Sequence, residues 1–197
     1  MKTLISLLFL SSALFYAACS NNSNSKKSSL KDTASDSKVA NTNAANVEKS
    51  AWAISDVVSC YLKLKDALAN DNGKEAASAA KEMNEAVSKT DESTLTPDQK
   101  KVYVDLAEDI REHTEHIGKN ASDIEHQREH FGMLSQDMID LVNAMGTPKI
   151  LYKEFCPMYN DKKGASWLSE SKEVKNPYYG HKMPECGEIK DEIKPKG

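Results

Sequence analysis

The chain has 197 residues, 39% of them hydrophobic and 28% charged, with a mean hydropathy of −0.61. These figures suit one water-soluble domain with polar extensions and exclude a polytopic membrane protein. Its 26 basic and 30 acidic residues leave a net charge of −4 without a stripe dense in Lys or Arg, which argues against a nucleic-acid partner, and its four Cys are too few for a disulfide-dense miniature scaffold.

Met1–Ala18 begins with Lys2, continues through the apolar run Leu4–Phe15 and ends in the small residues Ala17 and Ala18, the pattern of a secretion signal. It is too short to span a membrane comfortably. The stretch from Leu14 to Cys19 resembles a bacterial lipobox, with Tyr16 standing where that pattern prefers Leu. On that resemblance Cys19 becomes the lipid-bearing first residue of a periplasmic protein held to a bacterial membrane by its acyl chains alone. From Cys19 to Asn46 the chain is mostly Ser, Asn, Lys, Asp, Ala and Thr, too polar to offset its own ordering entropy. It reads as a disordered tether with a span of about 25 to 30 Å.

From Val47 the apolar period becomes helical. A first stripe runs through Ile54, Val57, Tyr61, Leu64 and Leu68 and ends at Asp71-Asn72-Gly73. An Ala-rich second stripe follows at Ala76, Ala80, Met83 and Val87. Thr96-Pro97-Asp98-Gln99 has the form of a capping box with Pro at the first helical position, opening a third helix through Tyr103, Leu106, Ile110, His113 and Ile117 to a stop at Gly118. Ser122 to Glu125 reads as a second capping box, opening a fourth helix through Phe131, Leu134, Met138, Leu141 and Met145 that ends at Gly146 and Pro148. Four narrow stripes joined by short turns can bury themselves only against one another, which predicts a mainly α fold with an up-down-up-down four-helix bundle over residues 47–146. Residues 147–197 follow a different grammar. Lys149–Phe155 is strand-like, and Gly, Pro and aromatics punctuate the rest, predicting a small irregular lobe with short β segments packed on the bundle.

Four of the five His fall between the end of the third helix and the start of the fourth: His113, His116, His126 and His130. Spacings of three and four residues put each pair on one helix face, and the turn brings His113 level with His126. The lobe carries a second group, Cys156 and Met158 before Trp167, and His181, Met183 and Cys186 after it. Thiolate and thioether are soft ligands that suit Cu(I) over Mg²⁺ or Ca²⁺. A Cys156–Cys186 disulfide is the alternative, closing a loop of about 30 residues worth roughly 3 to 4 kcal/mol. Chain lengths allow the two groups to meet: His130 to Met145 covers about 22 Å of helix, and an extended return over Lys149–Cys156 covers about 23 Å. Cys60 reads as a small apolar thiol beside the first helix seam. No phosphate loop, Cys-x-x-Cys pair or nucleophile with a paired base is present, so nothing demands an enzyme.

Taken together, Tyr61–Lys65, Gln127–Phe131, Cys156-Pro157-Met158, Gly164–Ser169, Asn176–Gly180 and Met183 to Cys186-Gly187 resemble a domain of unknown function. That domain occurs in periplasmic lipoproteins and at the ends of heavy-metal efflux adaptor subunits. The resemblance implies copper or silver handling with a heavy-metal efflux pump or adaptor as partner, and places His116, His130, Cys156, Met158, Met183 and Cys186 at recurrent positions. His113, His126 and His181 are particular to this sequence. The barrel, lipoyl and hairpin regions of an adaptor have no counterpart here. The expected site is therefore His116, His130, Cys156, Met158, Met183 and Cys186 with His181 as an auxiliary ligand, binding Cu(I) for sequestration or delivery. A non-metal interaction module stapled by the disulfide is the alternative.

Overall fold

The computed structural model describes residues 36–195; the secretion signal, Cys19 and the start of the expected tether lie outside them. The fold is mainly helical with a small three-stranded antiparallel sheet near the C-terminus. None of its described helices is long and apolar enough to cross a membrane.

Helix α1 spans Asp36–Ala53, so it begins within the segment read as a disordered tether. Its end is anchored. Ser50 is buried, its hydroxyl donating to the Met145 carbonyl at 2.7 Å and accepting from Gln99 Nε2 at 2.9 Å. At Ile54 the backbone leaves the helical region (φ −101°, ψ 7°) and α2 runs on as Ser55–Ala69, dividing what periodicity reads as one helix. The division has a packing origin, since α1 lies on the short turn Glu92–Thr94 and on the fourth predicted helix, whereas α2 packs on α3.

Helices α3 (Gly73–Lys89), α4 (Pro97–Lys119) and α5 (Ile124–Met145) follow, and consecutive helices make the main packing pairs. The apolar stripes are where they were expected: Val57, Tyr61, Leu64, Ala76, Met83, Ile110, Ile117, Phe131, Leu134 and Met138 are all buried in one core. The Thr96–Gln99 capping box forms in both directions. The second box shifts by one residue. Asp123, not Ser122, caps α5 by accepting from the His126 N–H at 3.1 Å, and α4 continues past Gly118 to Lys119. Asp and Ser cap about equally well, so the turn decides between them.

After Gly146 (φ +83°) the chain enters the sheet, ordered β2-β1-β3 with β1 (Leu151–Cys156) central between β2 (Ala165–Ser169) and β3 (Glu188–Ile193). β2 packs on α5. Tyr61 ties three elements together: its ring stacks on Phe131, and its hydroxyl bonds Ser135 Oγ at 2.8 Å and accepts from the Leu168 N–H at 3.1 Å. β3 is the exposed edge and is mostly charged, as an edge that must not recruit another strand should be.

Candidate metal centre

The side chains that bring an ion within reach stand where α4 ends and α5 begins. His116 sits in the last turn of α4, and His126 and His130 lie one turn apart on α5. The helices are held in this alignment by Gln127, buried between them, whose Nε2 donates to the Ile117 carbonyl at 3.1 Å and the Gly73 carbonyl at 2.9 Å. Gly73 must be glycine for this: a Cβ there would lie 2.8 Å from the Ala121 oxygen and 2.9 Å from Gln127 Oε1.

His116, His126 and His130 each offer a ligand atom, and these atoms all lie within 4.8 Å of one another. The His116 and His130 rings are stacked with centroids 4.2 Å apart, and His126 meets His130 edge-on at 4.7 Å. A metal held at about 2.0–2.1 Å per nitrogen needs donors about 3.4 Å apart, so the rings must close by on the order of 1 Å. His116 is exposed and can swing without disturbing the core. His113 stands behind the three, its Nδ1 3.2 Å from His130 Nδ1, which leaves His130 Nε2 for an ion. Beyond it, the half-buried Asp137 has one carboxyl oxygen 3.7 Å from His113 Nε2 and no hydrogen-bond partner for that oxygen. A carboxylate behind an imidazole is the usual support that orients a metal-binding His.

Electrostatics favour neutral rings. Burial, reinforced for His130 by its imidazole neighbours, lowers the pKa of His113 and His130 below the ordinary value. A neutral ring is the ligating form. Burial and the charges of Asp109 and Asp140 push Asp137 up to about 6.

The sulfur residues gather elsewhere. The Cys156 and Cys186 sulfurs are 3.0 Å apart as thiols, Cys156 fully buried at the end of β1 and Cys186 partly exposed. Asn176 holds the Cys186 segment, donating from its side chain to the Cys186 carbonyl at 2.5 Å and from its backbone to that of Pro184. Burial first, and then the neighbouring Cys156 thiol, push Cys186 up to about 11. Met158 and Met183 are both more than a third exposed. His181 is an exposed ring whose Nδ1 lies 2.8 Å from Asp71 Oδ2. It belongs to a clamp between the lobe and the α2–α3 turn rather than to either ligand group.

The expectation that imidazoles and sulfurs form one site is therefore corrected. The level is right, because the hydroxyl of Tyr159, three residues beyond Cys156, donates to the Arg128 carbonyl, and the Gly132 backbone lies against the Tyr159 ring. The side is wrong. At 100° per residue Gly132 and Arg128 each lie about 160° around α5 from His130, so the lobe packs on the face opposite the imidazoles. Among the described residues, His116, His126 and His130 are the group of three able to hold an ion. His126, which was not among the expected ligands, has its ring nitrogen within 4.8 Å of those of His116 and His130, and the sulfurs lie outside this group. The signal for it was the His126–His130 spacing of four residues.

Neither a curated protein nor a solved structure matches the chain. Residues 57–149 match the family described as Protein of unknown function (DUF3347), a span that holds all but the first two residues of α2, all of α3 to α5 and all four clustered imidazoles, and stops short of Cys156.

Proposed function

We propose that this chain is a copper-binding lipoprotein of the periplasm, tethered through Cys19, which sequesters copper or hands it to a heavy-metal efflux system. Its carrier is a mainly helical domain whose α2–α5 form an up-down-up-down four-helix bundle. The observation that carries the reading is the convergence of His116, His126 and His130 within 4.8 Å, backed by His113 and Asp137. Imidazole suits copper, and among divalent first-row ions copper binds such donors most tightly. The thiols of Cys156 and Cys186, with Met158 and Met183 in the same lobe, offer a second, softer station for Cu(I), and His181, expected as an auxiliary ligand, is instead engaged by Asp71. The role is binding and transfer rather than catalysis.

The test is a copper titration of residues 45–197 against a chromophoric chelator, as Cu(II) in air and as Cu(I) under anaerobic reducing conditions. One equivalent of Cu(II) is expected to bind at pH 7.5 and to be lost in the His126→Gln/His130→Gln variant, with affinity falling at least tenfold. Release is expected on acidification, since protonated imidazole cannot ligate. Retention of full affinity by the double variant sinks the imidazole site.

A second reading, an interaction module stapled by a Cys156–Cys186 disulfide, is favoured by the 3.0 Å separation of the two sulfurs. Oxidised glutathione would take both thiol hydrogens, releasing two molecules of reduced glutathione. On this reading the product loses two hydrogens in mass and gains roughly 3 to 4 kcal/mol of stability. A parent and a Cys186→Ser variant equally stable after oxidation would remove it.

A further inference from the structure

On a third face of α5, between the imidazoles and the buried Arg128, lies an open cleft of about 740 Å³. Its floor is one helix stripe, Glu125, Glu129, Gly132, Met133 and Gln136, and its wall is the lobe around Tyr159 and Tyr179. From Glu125 to Gln136 the floor is about 16 Å long. We propose that this cleft binds a linear aliphatic polyamine. The reading is independent of copper.

Three observations point to that chemistry. The two tyrosine rings meet nearly at right angles, 82° with centroids 6.1 Å apart. Their hydroxyls are already used, Tyr159 donating to the Arg128 carbonyl and Tyr179 to that of Met158. The tyrosines therefore present ring faces and edges rather than hydroxyls, the surface on which an ammonium group and its methylenes rest. Met133, 48% exposed on the floor, extends this apolar track.

The cleft is also acidic. Glu125, Glu129 and Asp161 line it and no lining residue is basic. Glu125 is paired with Lys182 at the rim, at 2.9 Å, and with the buried Arg128 Nη1, at 3.6 Å, whereas Glu129 has only His126 near it, at 3.5 Å, so Glu129 and Asp161 carry most of the free negative charge. Asp161 makes no ion pair among the described residues, and the exposed Lys162 and Lys163 follow it in the chain outside the cleft. The field reaches the tyrosines: after burial, the charges of Glu129 and Glu125 are what push Tyr159 up to about 12.

The carboxylates are strung out rather than convergent. They form no group able to surround a single ion, in contrast to the imidazoles. Glu125 and Glu129 are one turn apart, about 5–6 Å between Cβ atoms, which is the interval between ammonium groups joined by three or four methylenes. A chain of spaced cations fits that pattern, and a point charge does not.

The experiment is a calorimetric titration of the metal-free protein with spermidine at low and at 150 mM salt, with putrescine, Mg²⁺ and an oligolysine peptide as comparators. Spermidine is expected to bind one to one, at least tenfold more tightly than putrescine, and to resist displacement by Mg²⁺ at equal charge. Asp161→Asn with Glu129→Gln is expected to weaken binding by tenfold or more. Asn suits position 161, where the backbone is left-handed (φ +53°), and unchanged circular dichroism will show that the fold holds. Tyr179→Leu is expected to weaken binding severalfold without altering net charge. Spermidine binding that matches Mg²⁺, that survives the double variant, or that is surpassed by oligolysine at equal charge overturns the proposal.

Discussion

Replacing Arg128 with methionine is expected to cost about 3 to 5 kcal/mol of stability, the penalty for breaking a buried charge network by removing one partner. Arg128 is 2% exposed, its Nε and Nη2 are hydrogen-bonded, and its Nη1 lies 3.6 Å from Glu125 Oε1. It donates to the Pro177 carbonyl at 2.9 Å, the Leu68 carbonyl at 2.9 Å and Asp71 Oδ1 at 2.5 Å, joining α5, the end of α2 and the lobe. Asp71 sits in a left-handed turn (φ +54°) and also receives the backbone and ring nitrogens of His181. Methionine fills the space but leaves the buried Pro177 carbonyl without its guanidinium donor and takes one donor each from the Leu68 carbonyl and from Asp71 Oδ1. For a domain of this size the loss corresponds to a fall in Tm on the order of 10 °C. Lysine keeps the charge without the fork and should recover less than half of the deficit.

The acid profile gives a second readout of the same clamp. Burial raises the Asp71 pKa, but the hydrogen bonds from Arg128 and His181 outweigh it and bring the group down to about 2. A carboxyl whose folded pKa is depressed contributes stability above its unfolded value, near 3.8, and loses that contribution as pH falls towards 2. The parent should show this acid step in urea unfolding, and the Arg128→Met variant, which keeps only the His181 hydrogen bonds, should show a smaller one. A loss under about 1 kcal/mol with an unchanged acid profile would remove Arg128 as the tie between lobe and helices.

Glu154→Gln is expected to act in the opposite direction, raising stability at pH 8 by up to about 3 kcal/mol. Glu154 lies on the inner face of β1 opposite Trp167, fully buried, and neither of its carboxyl oxygens nor the Trp167 indole nitrogen has a hydrogen-bond partner. Burial pushes its pKa up to about 7, with the buried Lys65 and the Trp167 indole pulling weakly the other way. Here the folded pKa lies above the unfolded value of 4.5. Stability is therefore undiminished below pH 4.5, declines as pH rises through 7, and is flat beyond. The glutamine variant should lack this decline, coincide with the parent within about 1 kcal/mol at pH 4.5 and exceed it at pH 8. Parallel curves for the two proteins would show that the carboxyl is solvated or paired.

Neither residue announces itself in the sequence. Arg128 and Glu154 stand in polar surroundings, Gln127-Arg128-Glu129 and Lys153-Glu154, that read as solvated surface. What buries them is the lobe folding back over α5, a long-range event without local periodicity. The helices were legible because their signals are local: the spacing of Val57, Tyr61 and Leu64, the Thr96–Gln99 box, and the Gly146 stop. The break at Ile54 was not, since its cause is what α1 and α2 each pack against.

The same division holds at the metal centre. Sequence alone determined that one end of the helical region is rich in imidazole and that the lobe begins with a strand. Spacing along a helix and rise per residue are properties of the chain itself. Only the tertiary structure decided that His126 joins His116 and His130, that His113 stands behind them, and that the two thiols meet each other rather than the imidazoles. Which side of α5 the lobe covers depends on where Phe131, Tyr178 and Trp167 can be buried together, with Tyr61 stacked on Phe131. That aromatic contact sets which side of α5 the lobe covers, since large buried rings dominate the energetics of such a contact.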